Sequence, residues 1–356
     1  MRIITKRDFI KRIILGTIGL SVNMTLFPRS KRNKKAYDSP KKVVIIENDN
    51  VLDENNKPIK EEVFKMLDAA LFEFTGEKDR TSALIAAGFN VNDRIALKPN
   101  YLSVGRGIYT NKEIIEYLIE GLSDIVTSKN QIVLYEKGID KTDTQRFEGG
   151  GFKLNPNPGK DEITVVMTGH YGTVNIGEPG FPHPKQTLSR DDYMLDKLII
   201  EYTDKLINLP ILRQHALTGF SFSLKNHFGS LKLSGVSMFH GDNYNCDPEI
   251  AEINLFPPIV EKQKLIIGDM LCCVTQNGPN GRADAFPKKI IIGIDPVAVD
   301  YCALKELNKH RPVDSPIVIG GNAPNERNAQ FLKTAKEYGV GNWENATFKE
   351  INITVA

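Results

Sequence analysis

The chain has 356 residues, 41% of them hydrophobic, enough to bury one large or two moderate cores. Its formal net charge of +2 hides an asymmetry: residues 1–42 carry 12 Lys/Arg against two Asp/Glu, or +10, and the remainder carries 34 against 42, or −8. An acidic body of this kind excludes a nucleic-acid binder, because neutralising phosphates needs a basic surface.

In chain order, Arg2, Lys6, Arg7, Lys11 and Arg12 precede a diluted apolar stretch from Ile13 to Phe27. That order is how a secretory signal is built, and the stretch is short for a spanning helix, which needs about 20 apolar residues. Thr5-Lys6-Arg7-Asp8-Phe9-Ile10-Lys11 resembles a twin-arginine export signal with lysine in place of the first arginine. Residues 1–42 are therefore expected to be an export leader or membrane anchor with a basic linker, with residues 1–27 contacting the membrane and the body extracytoplasmic. A basic amphipathic tail on acidic lipid is the ordinary alternative.

From residue 43 to 356 the pattern predicts a single α/β domain with a mainly parallel sheet, flanking helices and an irregular inserted excursion. Val43 to Glu47 reads as a buried strand, and Val63, Met66, Leu67, Ala70, Leu71 and Phe74 follow at helical spacing. Arg94 to Lys98 is a second strand, stopped by Pro99. Thr110 to Glu113 then reads as a capping box opening an amphipathic helix, and Gln131 to Tyr135 is a third strand. Residues 138–190, rich in Gly, Pro, Asn and Asp, form the excursion, with one strand at Ile163 to Met167. Lys205 to Leu209 resumes the strand pattern, and Lys264 to Asp269 and Lys289 to Asp295 are further apolar runs. Asp295-Pro296 reads as an N-cap followed by proline at the first helical position.

Chemistry concentrates between Ile207 and His240, which hold three of the six histidines together with Lys225 and Asn226. Imidazoles so grouped ligate metals, exchange protons or hold anions. His215 follows a strand terminator, where open α/β sheets place their ligands. A helix over Ser221 to Gly229 puts Ser223 and His227 on one face. Lys98 closes an apolar strand beside Asn100 and, with Lys225, is suited to a carboxylate or phosphate; a snorkelling lysine is the ordinary explanation. Asp300 interrupts the apolar Val297 to Ala303 stretch and calls for a lysine or metal partner. If parallel pairing collects the strand ends, Asp269 and Asp295 approach the same rim.

The expected site therefore has His215, Lys225, His227 and Asp300 as catalytic groups and Lys98, Asn100, Asn226 and His240 as substrate-binding groups. His215, His227 and Asp269 form a candidate ligand set for a divalent transition metal. Cys246, Cys272, Cys273 and Cys302 lack metal-site spacing, so no intrinsic iron–sulfur cluster is expected. The absence of a P-loop and of a third dinucleotide-binding glycine gives no support to ATP or NAD use.

Lys98-Pro99-Asn100, Asn208-Leu209-Pro210 with His215, Leu224-Lys225-Asn226 with Phe228-Gly229, Asn277-Gly278-Pro279 to Gly281, and Asp295 to Asp300 occur here in this order. From about Val43 to about Leu307 the chain resembles the family catalogued as domain of unknown function three-sixty-two. The resemblance implies the α/β fold and the location of the site. Members often carry a ferredoxin-like iron–sulfur module or an export signal, and their activity is largely unassigned. This chain lacks the clustered cysteines of that module. Three function classes follow: a metal-dependent or acid/base enzyme acting on a small anionic substrate, a non-catalytic binding protein for a small anion or redox cofactor, and an accessory or assembly protein at the membrane face.

Overall fold

In the computed structural model, residues 41–137, 143–175, 194–231 and 245–354 are described. Twelve strands lie among them: β1 Lys42–Glu47, β2 Ile95–Lys98, β3 Ile132–Glu136, β4 Thr164–Met167, β5 Thr173–Asn175, β6 Met194–Asp196, β7 Lys205–Asn208, β8 Ile211–His215, β9 Gly219–Ser221, β10 Gln263–Val274, β11 Lys289–Gly293 and β12 Thr347–Asn352. Ten form one sheet, ordered β12-β1-β11-β10-β7-β2-β3-β4, with β8 pairing β10 and β9; β5 and β6 form a small hairpin-like pair. Parallel pairing joins β4, β3, β2, β7 and β10 in an unbroken row. The fold is α/β with a mostly parallel, mixed sheet.

Near-continuous apolar strands are what a sheet covered on both faces requires. Their side chains alternate strictly between two cores: Ile95, Leu97, Ile132 and Leu134 pack on one face and Ala96, Val133 and Tyr135 on the other. The first face is covered by helices α1 Lys60–Thr75, α2 Arg80–Ala86 and α3 Lys112–Ser123, which contribute Val63, Met66, Leu67, Leu84, Ile114 and Leu118. After the short helix α4, Asp143–Gly149, the remaining helices are α5 Ser223–Asn226, α6 Glu249–Ile253, α7 Pro257–Lys262, α8 Pro296–Lys309 and α9 Gln330–Glu337. They supply Leu224, Ile250, Ile259, Val299 and Phe331 to the second face. Residues Ser39–Ala356 constitute one compact unit.

Apart from the Ser221 to Gly229 helix, the strands and helices expected from sequence are present to within a few residues, additional elements include β8 and β9, and three further differences bear on the site. The Lys264 to Asp269 run extends to Val274, so Asp269 lies inside β10 rather than at its end. β11 runs antiparallel to β10, so its exit lies on the opposite edge of the sheet from the exits of β2, β3 and β7. The predicted capping box at Thr110 is absent, and the helix begins after Asn111 without a side-chain cap. The Thr110 hydroxyl instead donates to Leu209 O (2.7 Å) and accepts from Asn100 N (2.8 Å), tying the β2 exit to the β7 exit. All four cysteines are free thiols, and burial pushes each thiol pKa up.

Candidate functional site

At the carboxyl edge of the parallel strands lies a cavity of ≈ 200 Å³. The β2 exit contributes Lys98 and Asn100, the β3 exit Glu136 and Lys137, and β8 Arg213 and His215. The segment from Ser221 to Gly229 adds Lys225, Asn226, Phe228 and Gly229, Arg146 enters from α4, and Pro279 and Asn280 form part of the rim. Open α/β sheets bind ligands at this position because crossover loops diverge there and leave a crevice.

Five of these lining side chains are basic and one, Glu136, is a carboxylate. Lys98 is fully buried, and its ammonium donates to Glu136 Oε1 (2.7 Å) and to Pro99 O (2.7 Å). Glu136 also accepts from the backbone N–H of Tyr101 (2.9 Å) and of Lys137 (2.7 Å), so its charge is held by one cation and two amides. Burial pulls the Lys98 pKa down, against the opposing pull of Glu136. Gly229 makes this approach feasible, because a Cβ there would stand 2.5 Å from both Lys98 Nζ and Glu136 Oε1.

Arg213, 1% exposed, donates from Nη2 to Asn100 Oδ1 (2.5 Å) and from Nη1 to Ser103 Oγ (3.2 Å), while its buried Nε has no hydrogen-bond partner among the described residues. Burial pulls its pKa down to about 10, which leaves it charged at neutrality. From this guanidinium a chain of amides runs in one direction. Asn100 Nδ2 donates to Asn226 Oδ1 (3.0 Å), Asn226 Nδ2 to Asn208 Oδ1 (2.8 Å), and Asn208 Nδ2 to Ser223 O (2.9 Å). Asn226 Nδ2 also donates to Lys98 O (3.0 Å), linking the chain to the lysine strand.

Lys225 is buried with its ammonium 4.6 Å from the Phe228 ring centroid, and burial lowers its pKa. The Lys137 pKa falls to about 8, first through burial and then through the neighbouring Lys225, Lys98 and Arg146, with Glu136 opposing. Lys137 thus gives up its proton more readily than an ordinary lysine. His215 Nδ1 accepts from the N–H of Leu217 (3.2 Å) and of Thr218 (3.3 Å), so the hydrogen of the neutral ring resides on Nε2 and the ring acts as a donor.

Of the residues expected from sequence, Lys98, Asn100, His215, Lys225 and Asn226 line the cavity. His227 does not: it is fully buried, with Nε2 2.7 Å from Gln263 Oε1 and Nδ1 3.2 Å from Ser230 Oγ, and burial pulls its pKa down to about 4. The helix expected over Ser221 to Gly229 is one turn, Ser223–Asn226, followed by a 3₁₀ turn over His227–Ser230. Among the described residues no lysine pairs with Asp300. Its carboxylate accepts from the N–H of Ser223 (2.8 Å), the N–H of Leu224 (3.2 Å) and the Ser223 hydroxyl, and so caps α5 from α8.

Asp269 accepts from Asn111 N (2.9 Å), Asn111 Nδ2 (2.8 Å) and Leu271 N (3.1 Å), and burial raises its pKa to about 6. Asp295 caps α8 through Val297 N (2.9 Å) and Ala298 N (3.0 Å) on the opposite edge, where the antiparallel β11 delivers it. The His215, His227 and Asp269 ligand set therefore does not assemble, and among the described residues no group of three or more His, Cys, Asp or Glu is placed to hold a metal ion. His240 and the leader lie outside the described residues. The sequence reading missed Arg213, Glu136, Lys137, Arg146 and Asn208.

The site is built from the residues between the β2 strand and α8, and the family model described as "Domain of unknown function (DUF362)" matches residues 95–305, more than half of the chain. The chain belongs to this family. No curated protein matches it. Among solved structures it is similar to a protein from Thermotoga maritima (TM-score 0.40, 14% identity, 71% of this chain and 58% of that one). It is also similar to the lactate racemase apoprotein from Thermoanaerobacterium thermosaccharolyticum (TM-score 0.41, 12% identity, 76% of this chain and 58% of that one). The chain thus spans under two thirds of the length of either protein.

Proposed function

We propose that this DUF362 chain is an acid/base enzyme acting on a small anionic substrate held in the cavity at the carboxyl edge of its sheet. The observation that carries the reading is the gathering of Lys98, Lys137, Arg146, Arg213 and Lys225, with Glu136 the one carboxylate among the described lining residues, in a cavity of ≈ 200 Å³. A concave site with convergent cations and a lysine of lowered pKa is the arrangement that anion recognition with proton transfer requires. In this reading Arg213 anchors the anion, and Lys98, fixed by Glu136, adds positive potential. His215 donates a hydrogen bond, and Lys137, a cation below pH 8, supplies and recovers the proton. The acid/base branch is preferred to the metal-dependent one because the described residues offer no ligand set.

The test is incubation of the purified protein with a panel of small carboxylates in D₂O, read by mass spectrometry for solvent deuterium in the substrate, alongside calorimetric binding. Deuterium uptake that Lys137→Met abolishes supports the enzyme. Binding without uptake assigns the chain to non-catalytic anion capture, and no binding of any anion overturns the reading.

We further propose that the body acts on the extracytoplasmic side, on the strength of the charged, apolar and polar order of residues 1–42. Among the described residues no helix is long and apolar enough to cross a membrane. Cell fractionation tests the location: replacing Lys6 and Arg7 together is expected to retain the chain in the cytoplasm, and a soluble cytoplasmic pool of the unaltered chain with an intact Met1 refutes it.

A further inference from the structure

The substrate class follows from how the cations are spread through the cavity. Arg213 sits at the β8 end, fixed through Asn100 and Ser103, and Lys137 sits at the β3 exit, its N–H on Glu136. Lys98 lies between them, with its ammonium committed to Glu136 and Pro99 O. A single-centred anion at one end leaves the other end unsatisfied.

The Arg213 end has a further property. Its Nε–H is buried without an acceptor among the described residues, although two other nitrogens of the same planar group are engaged. A buried donor without a partner is rare, and the guanidinium fork matches the two oxygens of a carboxylate. A cavity of ≈ 200 Å³ is also smaller than the ~300–1,000 Å³ usual for drug-sized ligands, which limits the occupant to a few heavy atoms beyond its charged groups.

We infer that the cavity takes a short, two-headed organic anion of the dicarboxylate type, one carboxylate seated on Arg213 and the second acidic group at the Lys137 end. This rests on the anion-binding reading above and deepens it. Recognition at both ends selects length as well as charge, because the rigid amide chain behind Arg213 fixes where the first carboxylate is held.

Calorimetry on the full chain at neutral pH, with succinate, butyrate and sulfate as probes, separates the alternatives. Succinate has two separated charges, butyrate the same carbon count with one, and sulfate two charges on one centre. The expected result is binding of succinate at least about tenfold tighter than of either other probe. Arg213→Lys and, independently, Lys137→Met are expected to reduce that preference to less than about threefold, with circular dichroism confirming that each variant is folded. Two variants at opposite ends keep the test decisive should one of them fail to fold. Equal binding of succinate and butyrate, tight binding of sulfate alone, or a preference that survives both substitutions overturns the two-headed inference and leaves the anion-binding reading standing. No binding of any of the three, nor of other small anions, overturns both.

Discussion

The Lys98–Glu136 pair gives the most exacting test of the electrostatics of the cavity. Lys98 is fully buried and Glu136 is 6% exposed, with a 2.7 Å contact between them. At an effective dielectric constant of about 20 the attraction is ~6 kcal/mol, but desolvation of each ion costs several kcal/mol and offsets most of it. The net value of the pair is therefore small, while removing one partner strands the other. Glu136→Gln is expected to cost ~5 kcal/mol, because it leaves the buried Lys98 ammonium with neutral acceptors only and removes the carboxylate that balances the surrounding cations. Lys98→Met is expected to cost ~3 kcal/mol, since Glu136 keeps the amides of Tyr101 and Lys137. The double variant should cost at least ~2 kcal/mol less than the sum of the two, the sign of a coupled buried pair. Urea unfolding followed through the single tryptophan, Trp343, measures all three. Single costs below ~1 kcal/mol, or strict additivity, would refute the argument that this pair is dry and mutually dependent.

Other outcomes follow from individual groups. Burial raises the Asp300 pKa to about 7, above the ~3.9 of the unfolded chain, so the folded state retains a proton that the unfolded state has released. Wild-type stability should consequently fall as pH rises from about 4 to about 7, by up to ~4 kcal/mol, and then level off. Asp300→Asn removes that slope, and parallel stability curves for the two proteins would contradict the assignment. Gly229→Ala places a methyl group against Lys98 and Glu136 and should cost ~1–3 kcal/mol in stability, with a measurable loss of anion binding by calorimetry. Because Lys137 loses its charge near pH 8, anion affinity should drop up to about tenfold between pH 7 and pH 9, and Lys137→Met should flatten that profile.

The parts of the cavity that can be read from the sequence are those announced by strong local punctuation. Lys98 is followed by Pro99, which ends β2 and fixes where the side chain emerges, and Lys225-Asn226 sits in a conspicuous polar run. Glu136 and Lys137 close β3 in the same way but without a proline, so the strand reads one residue short and its charged end escapes notice. Arg213 gives a weaker signal still. It stands between Leu212 and Gln214 in a strand of five residues, and its partners Asn100 and Ser103 lie more than a hundred positions away. Asp295 fails for a topological reason: an apolar run specifies a strand but not its direction, and the antiparallel β11 carries its end to the far edge. Asp300 stands out as a charge in an apolar stretch and His227 as a member of the histidine-rich run, and both polar groups need partners. They have them, as hydrogen bonds inside the core rather than in the cavity.

Neutral amides set the geometry of this charged site. Each asparagine side chain has one accepting oxygen and a donating NH₂, so a row of them transmits direction. Arg213 donates to Asn100, Asn100 to Asn226, Asn226 to Asn208, and Asn208 to the carbonyl of Ser223. Every member is oriented by the next, and the last acceptor belongs to α5, whose N-terminal amides are held by Asp300. Aligned hydrogen bonds of this kind polarise one another and are strengthened by the low local dielectric. The buried aspartate on α8 thus acts on the cavity from a distance: it anchors the turn that ends the amide chain, and the chain holds the guanidinium. Asn226 has a second role, because its Nδ2 also donates to Lys98 O and so registers the β2 exit against the same chain. The Arg213 guanidinium and the backbone at Lys98 are thereby tied together by side chains that carry no charge, which is why a reading of charges and imidazoles alone finds the place but not the frame.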